Sequence, residues 1–227
     1  MCGRYVLRSG PRRWREQFDA GSTETLEWRP RYNLAPSQYA PVLRLVDGQR
    51  HIDLLRWGLL PAWAKDESFA YRTVNARCET VATLPAFRAA MRARRCVVPA
   101  DGFYEWQLQP DGKSKQPYFI DRRDGRMLAF AGLWESWHAP GAGDALLSFT
   151  IITTPASQWM APLHQRMPAV LDAQGVEAWL RPGLPAPELQ ALLRPAPEDA
   201  LQARPVSRAV GNPRNDSPEL LEAATNV

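Results

Sequence analysis

The sequence is poor in cysteine and histidine, with three of each among 227 residues. Cys2, Cys78 and Cys96 show no metal-ligand spacing, and an odd count leaves one unpaired in any disulfide scheme. Neither a zinc module nor a disulfide framework is expected, and a reducing, cytoplasmic setting fits. No apolar run approaches the ~18 residues of a membrane span, so no membrane contact is expected. The start, MCGRYVLRSGPRRW, has no apolar secretion segment. No glycine-rich phosphate loop of the P-loop or dinucleotide type occurs. No internal repeat or low-complexity stretch is visible. Neither a metal nor an organic cofactor is therefore expected.

What is present fits a globular protein. A hydrophobic content of 45% can fill a core, and the length suits one domain over residues 1–227, with those after about 215 as a polar tail. Nine Trp and 21 Pro point to many loops and aromatic-lined surfaces. The net charge is only +4, but arginine carries it, in clusters at Arg12-Arg13-Arg15, Arg88-Arg92-Arg94-Arg95 and Arg122-Arg123-Arg126. Arginine forks suit phosphates; a solvated face explains such clusters equally well.

Pattern reading places a short helix at 11–19, opened by Pro11, with Trp14 and Phe18 on one face. Residues 41–58 read as a hairpin turning at Asp47-Gly48. A helix is expected at 84–95, with Phe87 and Met91 inward, and a buried strand begins at Cys96. Residues 117–137 read as a second hairpin about Asp124-Gly125. LLSFTIITTPAS is a strong strand, two short helices lie between prolines near 176–195, and LQARPVSRAV is a late strand. Many strands with few helices predict an α+β fold: a mostly antiparallel, twisted sheet or barrel-like core with short helices at its margins.

Cys2 is the residue with the most chemistry to offer. Residue 2 is small enough for Met1 to be cleaved away, leaving an α-amine and a thiol on one residue. Such a 1,2-aminothiol condenses with an aldehyde, and its sulfur closes a five-membered thiazolidine. An α-amine of pKa about 7.7–8.0 is roughly a tenth free base at neutral pH, far more than a lysine. The plain alternative is that a cysteine merely happens to occupy the position after the initiator. Glu105 stands between Tyr104 and Trp106, and strand alternation sends it to the face opposite both. In a pocket, burial would raise its pKa toward general acid–base use; on an edge it would be an ordinary solvated carboxylate. Trp57 reads as core, whereas Trp63 fits either the core or a base-stacking surface. His164, beside Arg166, is a further candidate, although a lone histidine is more often structural.

In order along the chain, MCGRY, RYNLAP, RWGLLPAW, NARCET, CVVPADGFYEW and PLHQRMP resemble the SRAP proteins, first described as SOS-response-associated peptidases and understood as abasic-site processing proteins. The resemblance runs from Cys2 to about Asn215. It implies a covalent thiazolidine crosslink between Cys2 and the open-chain aldehyde of an abasic site in single-stranded DNA. It implies catalytic roles for Asn75 near the crosslink, for Glu105 as proton shuttle and for His164 in sugar ring opening, strand cleavage or crosslink reversal. Arg4, Arg77 and Arg166 are expected on flanking phosphates. Trp63 and Trp106 are expected as aromatic contacts to DNA, and Asn33 as a site wall or DNA contact. Partners expected on this basis are abasic single-stranded DNA and proteins of the replication fork, with the chain a monomer. Two other classes stay open: an N-terminal-cysteine peptidase that processes itself, and a noncovalent module for single-stranded nucleic acid.

Overall fold

A computed structural model of the chain describes residues 2–21, 27–139, 141 and 143–224. Met1, whose removal is expected, lies outside the described residues. The chain opens with β1 (Tyr5–Leu7) and α1 (Pro11–Phe18). Pro11 sits where a helix has no N–H bond to lose, and Trp14 and Phe18 turn inward as their spacing predicts. After β2 (Arg31–Leu34), β3 (Tyr39–Val46) and β4 (Gln49–Trp57) form the expected hairpin. Its turn residues Asp47 and Gly48 have φ of 50° and 79°, the positive pair that matches the strand twist. Next come β5 (Asn75–Arg77), α2 (Arg88–Ala93), β6 (Arg95–Ala100) and β7 (Gly102–Leu108). After them stand β8 (Lys115–Arg122), β9 (Leu128–His138), β10 (Ala145–Pro155) and β11 (Arg166–Pro168). The described elements finish with α3 (Ala173–Leu180), α4 (Ala186–Leu192) and β12 (Leu201–Pro205), apart from short 3-10 turns.

The strands form two sheets. One runs β12-β8-β7-β1-β2. The other runs β11-β10-β4-β3-β6-β9, and β9 pairs again with β10, which closes β10-β4-β3-β6-β9 into a five-stranded barrel. Pairing is antiparallel except where β10 runs alongside β4 and β5. The fold is thus α+β with a barrel core and marginal helices, as the pattern predicts. Between barrel and second sheet lies an aromatic cluster. Tyr5 meets Trp57 edge-on with centroids 5.2 Å apart, Trp57 stacks on Phe149, and Phe103 meets Phe130 at 5.9 Å. The Trp57 indole N–H donates to the Val74 carbonyl at 2.9 Å, so this tryptophan belongs to the core. Each such side chain contributes about 2–3 kcal/mol by leaving water.

Three sequence expectations change. The hairpin about Asp124-Gly125 does not form. The chain does turn at Gly125, with φ of 69°, but β8 pairs with β7 and β12 while β9 pairs with β6 and β10. That turn passes the chain from one sheet to the other, because β8 is already committed to β7 across the shorter turn at Asp111-Gly112. The helix expected at 84–95 is confined to Arg88–Ala93, since Arg95 is drawn into β6 opposite Leu133. The residues beyond 215 are polar but not loose: Val206 bridges to Ala223, and Leu220 is buried.

Arg95 shows what the helices add. Its buried guanidinium donates to the carbonyls of Met91 and Arg92 at the end of α2, and of Trp179 and Arg181 at the end of α3. A cation is favourable where two helices present their C-terminal carbonyls. Arg95→Leu is expected to cost about 3 kcal/mol, because it strands several buried acceptors at once. Urea denaturation followed by tryptophan fluorescence measures this; a loss below about 1 kcal/mol contradicts the clamp.

Candidate active site

Cys2 lies just ahead of β1 and is fully buried, at 0% exposure. β1 runs between β2 and β7, with Tyr5 opposite Phe103 and Val6 opposite Gly102. Continuing that register sets Glu105 across from Gly3, next to Cys2. The close approach of β7 to β8 depends on Gly102, where a Cβ would stand 2.3 Å from the Phe119 ring. Alternation along β7 then sorts its side chains. Phe103 joins the main core, Tyr104 and Trp106 join an outer cluster with Val6 and Phe119, and Glu105 faces inward at 2% exposure. This burial raises the Glu105 carboxyl to about 7, even though the Trp106 N–H and the Lys115 ammonium act against it.

The other catalytic candidates converge on the same place. The Asn75 amide donates to the Cys2 carbonyl at 3.0 Å, and its own Oδ1 is buried without a hydrogen-bond partner among the described residues. His164 Nδ1 stands 4.0 Å from Glu105 Oε1 and 3.0 Å from both the N–H and the carbonyl of Arg166. Burial pulls the His164 pKa down, which favours a neutral imidazole at pH 7. Gln107, one alternation beyond Glu105, donates to the Pro162 carbonyl at 3.2 Å and so ties the loop bearing His164 to β7. Burial raises the Cys2 thiol, and the Glu105 charge raises it further, while the Arg4 backbone N–H opposes both. Burial therefore holds the thiol protonated, and the Glu105 carboxyl beside it is the group placed to take that proton during reaction.

The three arginines expected on phosphates are held differently. Arg77 shares a face of β5 with Asn75 and is exposed. The Arg4 guanidinium reaches Asn33 and the carbonyls of Val210 and Gly211. Arg166 is held bidentately by Glu79 and donates to the Thr153 carbonyl at 2.7 Å. That pairing holds the Glu79 carboxyl at about 2. A profile of the family described as SOS response associated peptidase (SRAP) matches residues 1–213. The chain belongs to the SRAP family. It is 41% identical over 225 residues to YoqW of Bacillus subtilis, an abasic site processing protein, across 98% of this chain and 100% of that one. It is 34% identical over 249 residues to the abasic site processing protein HMCES of Xenopus tropicalis, across 96% of this chain and 72% of that one. Among solved structures, a Bacteroides thetaiotaomicron protein superposes with a TM-score of 0.87 at 25% identity, covering 98% of this chain and 100% of that one. A Bordetella bronchiseptica protein does so with a TM-score of 0.76 at 29% identity, covering 91% and 100%.

Not every predicted position of this SRAP chain enters the pocket. Cys2, Asn75, Glu105 and His164 come together, although they lie far apart in sequence. Trp106 is half-buried on the opposite face of β7, against the outer cluster. Asn33 has no exposed surface, and its amide is occupied within the protein. Trp63 is 56% exposed and packs edge-on against Phe69 at 5.0 Å. Tyr71, 67% exposed on the 3-10 turn Glu67–Arg72, is another surface aromatic, one that no motif in the sequence singles out. Sequence reasoning also misses Glu79, which complements Arg166, and Tyr5, whose buried hydroxyl has no hydrogen-bond partner among the described residues. Both lie inside recognised segments, MCGRY and NARCET, but what each meets depends on a distant strand.

Proposed function

We propose that this protein captures abasic sites in single-stranded DNA as a covalent thiazolidine on Cys2, once Met1 has been removed. The observation that supports this most is the buried Glu105 carboxyl, raised to about 7, set between Cys2 and His164. The α-amine of Cys2 adds to the C1′ aldehyde of the ring-opened sugar. Protonated Glu105 gives its proton to the departing hydroxyl, and water leaves as the imine forms. The Glu105 carboxylate then takes the thiol proton while Sγ bonds to the carbon of the still-protonated imine, whose C=N electron pair returns to nitrogen. The balance is loss of one water per adduct. A group with a pKa near 7 can serve in both directions, which a carboxyl in its ordinary range cannot. The neutral imidazole of His164 is placed to assist ring opening. The free Oδ1 of Asn75 can accept a hydrogen bond from the reacting amine or from a sugar hydroxyl. Arg4, Arg77 and Arg166 are assigned to flanking phosphates, and exposed Trp63 to a stacked base.

If the imine persists, it acidifies the C2′ proton and allows elimination of the 3′ phosphate, so weak lyase activity accompanies the capture. Ring closure by sulfur competes with that loss. Intact-mass analysis after incubation with an abasic oligonucleotide tests the reading. The expected mass is protein without Met1, plus DNA, minus one water. An adduct that retains Met1, or no covalent species at all, overturns it.

A further inference from the structure

Asn33, the third residue of β2, is fully buried, yet its side chain is entirely engaged. Its Oδ1 accepts from Arg4 Nη1 at 3.1 Å. Its Nδ2 faces the carbonyls of Val210 and Asn212, each at 3.1 Å, and of Asn215 at 2.9 Å. Those carbonyls belong to the polar stretch that leads into the C-terminal residues. Two of its carbonyls also grip Arg4 directly: Val210 at 2.9 Å from Nη1, and Gly211 at 3.2 Å from Nη2. Asp216 locks the far end of the stretch. It accepts from the backbone N–H of Tyr32 at 2.5 Å and of Asn33 at 3.0 Å, and it pairs with Arg31.

The bonds to Arg4 are selective. Both Nη1 protons and one Nη2 proton are used within the protein. Among the described residues nothing accepts from Nε, so the Nε edge of the guanidinium is the one left for a phosphate. A loose arginine would lose up to about 2 kcal/mol of rotamer freedom on binding. Here that freedom is already lost in the folded protein.

We propose that Asn33 and residues 208–216 form a positioning device for Arg4, holding its guanidinium so that its Nε edge is presented to a phosphate. Asn33 is thus a positioning residue and does not itself touch DNA. This rests on the reading of Arg4 as a phosphate contact, and the test separates the two. The probe is a single-stranded oligonucleotide carrying a tetrahydrofuran abasic analogue, which has no aldehyde and binds without a covalent bond. Affinity is measured across a salt series for wild type, Arg4→Ala, Asn33→Ala and the double variant. Loss of one phosphate contact lowers the slope of log affinity against log salt by about 0.7 for single strands. Arg4→Ala and Asn33→Ala are each expected to show that drop, and the double variant no more than either alone. Asp216→Ala, which frees the segment from its far end and leaves Asn33 and Arg4 intact, is expected to lower the slope in the same direction, and it serves if Asn33→Ala does not fold. Weaker binding with an unchanged slope in both Asn33→Ala and Asp216→Ala, alongside a reduced slope in Arg4→Ala, overturns the positioning role. An unchanged slope in Arg4→Ala removes the phosphate reading itself, and this inference with it.

Discussion

Cys2→Ala is expected to eliminate the heat-stable adduct with abasic single-stranded DNA, the largest effect of any single substitution here. Alanine is also small, so Met1 removal continues and an α-amine is still exposed. That amine can form an imine but has no sulfur to close the ring. The variant should therefore give no stable band on a denaturing gel, yet should be trapped on the DNA by borohydride, which reduces the imine. With ring closure gone, strand nicking by β-elimination is retained or increased relative to wild type. A stable band from Cys2→Ala without reductant would place the linkage on another residue. The alternatives are separated in the same gel. A noncovalent module gives no denaturation-resistant species even in wild type, and a peptidase gives none that depends on the sugar aldehyde.

Glu105→Gln is expected to slow crosslinking by roughly 10²–10⁴-fold, the range for loss of a positioned general acid or base. The amide fills the same space but exchanges no proton. Because the carboxyl titrates at about 7, wild-type ring closure should accelerate as pH rises through that value and then level off. The variant's profile should be flat across the same interval. Stability moves the opposite way. A carboxyl raised from 4.5 to about 7 by burial holds a proton in the folded protein that the unfolded chain releases. Its favourable contribution is therefore present below the lower value and is lost as pH rises toward the upper one. Above pH 7 the folded wild type bears a buried charge, at a cost on the order of 3 kcal/mol. Glu105→Gln should be more stable than wild type at pH 8 by up to about that amount, and the difference should vanish near pH 4. Urea midpoints at the two pH values measure this. A variant that is slower but no more stable at pH 8 would mean that the carboxyl is not desolvated in solution.

The residues of the proposed catalytic group could be singled out because each carries a local sign. Cys2 comes directly after the initiator, Glu105 sits in an alternating Tyr-Glu-Trp strand, and Asn75 and His164 lie in short recognisable segments. Alternation alone put Glu105 on the face away from Tyr104 and Trp106, where the structure has it. The same kind of reasoning failed at Asp124-Gly125. A turn signal states that the chain reverses but not which strand it will pair with, and β7 had already taken β8. Nor could local pattern show what Asn33 holds, because its three carbonyl acceptors arrive from about 180 residues away.

By itself the sequence determined the strand-rich α+β character, the β3–β4 hairpin, the inward face of β7 and the kind of chemistry Cys2 can offer. These arise from periodicity, turn residues and the reactivity of single groups, all of which act over a few neighbouring residues. Only the tertiary structure decided the closure of the barrel through β9 and β10, the exposure of Trp63 against the withdrawal of Trp106, and the pKa of Glu105. It alone decided which partners Arg4 and Arg166 hold. Burial and long-range pairing set these properties, and both depend on chain segments that meet only after folding.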